Sequence, residues 1–127
     1  MKFLFISLGG AIGALLRYGI SGLPHRYTVS VFPWGTLAVN ILGAFLIGFL
    51  WGTSERVDIA PNIRTFLFVG VLGAFTTFST YSLESINMLR DGEIKLALVY
   101  ILASNFACIG LCFLGFVTSR YLVNVFR

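Results

Sequence analysis

The chain has 127 residues, of which 57% are hydrophobic and 11% charged, where an ordinary soluble domain carries roughly 25% charged residues. That balance excludes a conventional water-soluble domain. The net charge of +4 comes from basic residues placed singly at the ends of apolar runs, with no stripe or cluster. This excludes a nucleic-acid surface and fits anchoring beside lipid headgroups.

Four apolar stretches, 3–20, 34–51, 66–88 and 96–117, each approach the roughly 20 residues that cross a bilayer as a helix. Only short turns remain between them, so residues 1–127 form one domain, an all-α membrane protein of four transmembrane helices. Lys2 before an apolar run resembles the start of a signal peptide. The run is broken by Gly9, Gly10 and Gly13, ends at Arg17 and Tyr18, and has no small-residue cleavage site, so it reads as the first span.

Four spans place both termini and the middle loop on one side of the membrane. That side carries Lys2, Arg56, Arg64, Arg120 and Arg127; the other carries Arg17, Arg26, Arg90 and Lys95. Lys/Arg bias sets orientation, and five against four is almost none. Either the chain inserts both ways up, allowing two inverted copies to pair, or the weak bias still fixes one orientation. Gly9 with Gly13, Gly10 with Ala14, Gly48 with Gly52 and Gly70 with Ala74 form small-xxx-small pairs. Such pairs let helices approach closely, within one chain or between chains.

Along the second span, Asn40 is an amide in an apolar run. It either faces a polar pathway or makes an interhelical hydrogen bond. The third span concentrates Thr76, Thr77, Ser79, Thr80 and Ser82 within residues 76–82. Hydroxyls offer the backbone alternative partners, so this stretch predicts a break in the helix; the alternative is an intact helix with hydroxyls bonded to the preceding turn. Phe75, Phe78 and Tyr81 recur at steps of three. Aromatic edges are electropositive and attract anions, although the spacing alone favours packing. Glu84 is the acid nearest the middle of a span.

The fourth span carries Tyr100, Ser104, Cys108 and Cys112 at steps of four, with Asn105 one residue off that stripe. Helix-helix packing accounts for such a stripe as well as a pathway does. The two cysteines share a face and cannot easily bridge each other. Arg17 is placed near enough to its helix end to snorkel, and His25 is placed in a loop beside Pro24. No nucleophile, base and orienting group come together, so the chain does not read as an enzyme.

Three motifs resemble the Fluc (CrcB) family of fluoride channels. Gly9 to Tyr18 is similar to its GGxxGAxxRY opening, Gly35 to Asn40 to its GTLxxN, and Gly73 to Ser82 to its GxxTTFSTFS signature. The resemblance runs through all four spans. It implies a passive fluoride channel of the bacterial inner membrane, exporting fluoride through two pores of an inverted homodimer. It implies pore residues Asn40, Phe78, Ser79, Thr80, Tyr81, Tyr100, Ser104 and Cys108. It also implies a structural sodium ion (Na+) held at the dimer centre by the backbone carbonyls of Gly73 and Thr76. Tyr81 departs from the family's usual phenylalanine, and Cys108 and Cys112 stand where relatives often carry hydroxyls. A small multidrug-type, proton-coupled exporter is the rival reading. That class needs a carboxylate in its first helix, and the first span has none.

Overall fold

The computed structural model describes residues 1–27 and 29–126, including the backbone of His25 but not its side chain. The charge assigned to Arg127 therefore lies outside the described residues. Four stretches are helical and apolar enough to cross a membrane: Lys2–Pro24, Trp34–Ser54, Pro61–Arg90 and Ile94–Val125.

Helix α1 covers Lys2–Tyr27 and α2 covers Trp34–Ser54. The third stretch opens with α3 (Pro61–Arg64), whose proline stands at the start, where its missing N–H costs nothing. It continues through a wider, π-helical segment, Thr65–Leu72, and a last α-turn, α4 (Gly73–Phe75). Thr76 and Thr77 are extended, with ψ of 156° and 116°. A new helix, α5 (Phe78–Arg90), follows, and the long α6 covers Ile94–Val125. Gly92, in the tight turn between α5 and α6, has a φ of +81° that L residues with a Cβ rarely adopt.

The first helix is longer than the apolar run suggests. It continues past Ile20 to Tyr27 with Pro24 inside it, so His25 belongs to this helix and not to a loop. Arg17 is correspondingly well inside α1. The aromatic residues at steps of three do not share one helix face either. Phe75 ends α4 and is buried, whereas Phe78 begins α5 and is 75% exposed.

Glycines set the helix contacts. A Cβ at Gly9 or Gly13 would run into the backbone of Phe66, Gly70 and Val71, so α1 lies directly on the π-helical segment. On the other side of the bundle, Gly48 meets the Cys112 carbonyl, Gly52 the Ser119 hydroxyl, and Gly115 the Phe45 carbonyl. These seat α2 against α6. Gly10 has open space around it, so the Gly10 and Ala14 pair makes no close approach there. Without a hydrophobic drive between helices in lipid, this backbone-to-backbone packing holds the bundle. Large apolar side chains such as Leu15, Val69, Ile109 and Phe113 face outward, as a lipid-solvated surface requires.

Gly48→Ala is expected to lower the apparent Tm in detergent, because overpacking costs about 1–3 kcal/mol. Gly10→Ala has room for its methyl and is expected to leave Tm unchanged or slightly raised. Thermal aggregation followed by size-exclusion chromatography compares the two. Equal behaviour would mean that the α2–α6 contact is not what limits stability.

Candidate functional site

The extended pair Thr76 and Thr77 is built by specific hydrogen bonds. The Thr76 hydroxyl donates to the Leu72 carbonyl (3.0 Å) while the Thr76 N–H donates to the same oxygen (3.1 Å), closing α4. The Thr77 hydroxyl oxygen caps the next helix by accepting from the Thr80 N–H (3.3 Å), and it donates to the Thr80 hydroxyl (3.0 Å). The threonine run thus ends one helix and starts another.

Asn40 of α2 pairs with the extended backbone through both ends of its amide. Its Nδ2 donates to the Thr77 carbonyl (3.0 Å), and the Thr77 N–H donates to Asn40 Oδ1 (2.8 Å). A lipid environment supplies no substitute partners. The amide that sequence reasoning could place either in a pathway or in a helix contact is therefore a two-point clamp on an irregular peptide. Two carbonyls are freed by this arrangement. In a continuous helix the Thr77 N–H would go to Gly73 O and the Thr80 N–H to Thr76 O; here those donors go to Asn40 and to the Thr77 hydroxyl.

Beside the break lies a half-open groove of about 360 Å³. Its polar groups include Asn40, Thr76, Tyr81, Ser104, Asn105 and Cys108, and no charged side chain lines it among the described residues. Phe78, 75% exposed, also lines it. The Phe78 and Tyr81 rings are 5.3 Å apart at 51°, and Tyr81 is 5.3 Å from Tyr100 at 53°. Ser104 is 7% exposed, and its hydroxyl is the one buried side-chain polar atom without a partner among the described residues.

Two further cavities open on the other side of the break, of about 340 and 390 Å³. Arg17, Ser21, Thr36 and Thr80 line the first, and Arg26, Thr36, Thr80 and Glu84 the second. Thr77 lines both the groove and the nearer cavity, so the clamped residue stands where the two sides meet. Glu84 accepts from the Thr36 hydroxyl (2.8 Å) on one oxygen and from the Tyr100 hydroxyl (2.7 Å) on the other.

Of the residues singled out in the sequence, Asn40, Phe78, Tyr81, Ser104 and Cys108 come together at the groove, with Gly73 and Thr76 beside them. Thr80 faces the opposite cavities. Tyr100 is fully buried and does not line the groove; its hydroxyl is committed to Glu84. Ser79 is exposed, with its hydroxyl 3.4 Å from that of Thr77. Gly73 has ordinary helical angles (φ −62°, ψ −34°), so the backbone there does not demand glycine. Asn105, one residue off the polar stripe, lines the groove and donates to the Tyr81 hydroxyl (2.9 Å). An amide within a span was the signal that could have found it.

Four helices long and apolar enough to cross a membrane, three of which line a groove with neutral polar groups beside the extended Thr76 and Thr77, define a small multi-pass membrane protein. The chain belongs to the CrcB family: the family model described as "CrcB-like protein, Camphor Resistance (CrcB)" matches residues 4–116. It is 40% identical over 127 residues to a protein of Parabacteroides distasonis named fluoride-specific ion channel FluC, covering 100% of this chain and 99% of that one. It is 46% identical over 123 residues to the protein of that name from Thermus thermophilus, covering 97% and 98%. It is 48% identical over 105 residues to the one from Salinibacter ruber, covering 83% and 79%.

Proposed function

We propose that this protein is a passive, fluoride-selective ion channel and not an enzyme. The observation that carries the reading is a largely apolar groove in which the polar groups are neutral hydroxyls, amides and a thiol beside aromatic rings, with no charged side chain among the described residues. Fluoride is small and strongly hydrated, so a pore must replace the donors of water. Conduction also requires that the ion leave, which neutral donors permit and a buried cation would impede. The relatives named as fluoride-specific channels support the same substrate. The proton-coupled exporter reading is not favoured: α1 carries no acid that could exchange protons for a substrate.

In this reading the channel is a homodimer of inverted copies in the bacterial inner membrane, with two pores. The near-equal Lys/Arg count on the two sides supports both orientations. The exposed Phe78 and Gly73 and the half-open groove offer a face for the second copy. The pore would draw on Asn40, Phe78, Tyr81, Ser104 and Cys108 at the groove and on Thr80 at the cavities beyond it, with Ser79 and Tyr100 acting from outside the groove lining. Phe78 and Tyr81 would offer ring edges, with hydroxyls and the amide on either side. A structural sodium ion fits the break, because the Gly73 and Thr76 carbonyls lose their helical donors there. Among the described residues no cluster of His, Cys, Asp or Glu competes for such an ion, and hard carbonyl oxygens suit a hard cation. When bound, the ion would neutralise the carbonyl ends that the two copies turn toward each other.

Such a channel relieves fluoride toxicity. Hydrogen fluoride enters a cell as a neutral acid and dissociates, and the negative membrane potential then drives the anion out. Purified protein in liposomes is expected to pass fluoride down its gradient and to exclude chloride strongly, with no proton gradient imposed. Equal chloride flux, or transport only under a proton gradient, would reject the channel reading.

A further inference from the structure

We infer that Asn105 is a positioning residue for permeation, holding the Tyr81 hydroxyl so that its hydrogen is left to donate into the groove. The inference rests on the fluoride-channel reading. Asn105 Nδ2 carries two hydrogens. One goes to the Ile101 carbonyl (2.7 Å) and the other to Tyr81 Oη (2.9 Å). The amide cannot be turned round, because that would press Asn105 Oδ1 against the Ile101 carbonyl oxygen. Tyr81 Oη is therefore an acceptor in this pair. A phenol has one hydrogen to donate, and an amide nitrogen accepts none, so that hydrogen is not used by Asn105.

The geometry supplies a place for it. Tyr81, Asn105 and Ser104 line the same groove, and the Ser104 hydroxyl, buried and unpartnered, also has its donor unspent. The Tyr81 ring is fixed between Phe78 and Tyr100, and the Asn105 bond sets the remaining freedom, rotation about the C–O bond. Tyr81 thereby supplies an O–H donor as well as a ring edge, and Asn105 acts only through it.

A double-mutant cycle tests this in liposomes, using Tyr81→Phe, Asn105→Ala and the double variant. The readouts are the fluoride concentration giving half-maximal flux, the fluoride-to-chloride flux ratio, and assembly by size exclusion. Losing one hydrogen bond to an anion is expected to raise the half-saturating concentration about tenfold in Tyr81→Phe. Asn105→Ala is expected to raise it by a smaller factor in the parent and not at all in the Tyr81→Phe background, with assembly unchanged. The same Asn105→Ala effect in both backgrounds would make Asn105 a packing residue and overturn the inference. So would parental half-saturation in Tyr81→Phe, a near-isosteric change that decides the matter even if Asn105→Ala does not assemble. A parent that passes no fluoride would overturn the channel reading and this inference with it, whereas a conducting parent with uncoupled variants overturns the inference alone.

Discussion

Asn40→Leu is expected to abolish fluoride flux while leaving the four helices in place. Leucine fills a similar volume but offers the Thr77 peptide nothing. The Thr77 N–H loses its bond to Asn40 Oδ1 and the carbonyl loses its bond from Nδ2. Leaving a buried donor unpaired costs about 1–3 kcal/mol, and the lost carbonyl bond roughly another 0.5–1.5 kcal/mol. The cheapest relief is local. Freed from Asn40, the Thr77 N–H can return to the Gly73 carbonyl and extend α4 through the break. That rearrangement would move Phe78 and Tyr81 together, and would withdraw one carbonyl from the proposed cation site. Amide hydrogen exchange at Thr77 and at Thr80 reports the change separately from flux. Asn40→Asp keeps an acceptor for the Thr77 N–H, loses the donor and adds a negative charge, so it is expected to keep parental exchange at Thr77 yet still pass little fluoride. Parental flux with parental exchange in Asn40→Leu would show that the break stands without its clamp.

How much of this could be read from the residues follows from the range of the interactions. Four spans were legible because water-soluble chains rarely carry apolar runs of bilayer length. Their ends were not. Arg17 and Arg26 lower the local hydropathy, yet the backbone of α1 continues to Tyr27, since helix geometry depends on hydrogen bonding and not on apolarity. The threonine run offers the backbone alternative hydrogen-bond partners, and the angles of Thr76 and Thr77 are extended. Its partner did not announce itself, because Asn40 and Thr77 lie 37 residues apart in sequence. Asn105 lies one residue off the step-of-four stripe. A buried helix face is at least about 100° wide, the angle between consecutive residues, so Ser104 and Asn105 both reach one groove. The glycines were legible as close-contact residues, but only the bundle tells Gly48, against the Cys112 carbonyl, from Gly10, against nothing.

Gly73→Val and Phe78→Ile are expected to fail in different ways, and the contrast separates assembly from permeation. A Cβ at Gly73 would be 3.6 Å from the Phe68 carbonyl oxygen, an ordinary contact, and the residue already has helical angles. The protomer should therefore fold with valine at this position. Gly73 is nevertheless exposed beside the break, so the added isopropyl group would fall on the face proposed to meet the inverted copy. Close backbone approach in lipid depends on small residues, and the proposed sodium ion needs the Gly73 carbonyl within reach of both copies. Gly73→Val is expected to shift the purified protein from dimer to monomer and to lose flux as a consequence. Phe78 is 75% exposed and contributes little to the protomer core. Phe78→Ile removes an aromatic edge from the groove but keeps an apolar side chain of moderate size. It is expected to remain dimeric and to lose at least about tenfold in flux, taking the ring edge as comparable to a hydrogen bond to a charged group. Cross-linking in detergent measures the first property and liposome efflux the second. Should Gly73→Val assemble and conduct like the parent, the dimer face and the cation site lie elsewhere. Should Phe78→Ile conduct normally, its ring is a packing element and the permeating ion takes its donors from the hydroxyls and amides alone.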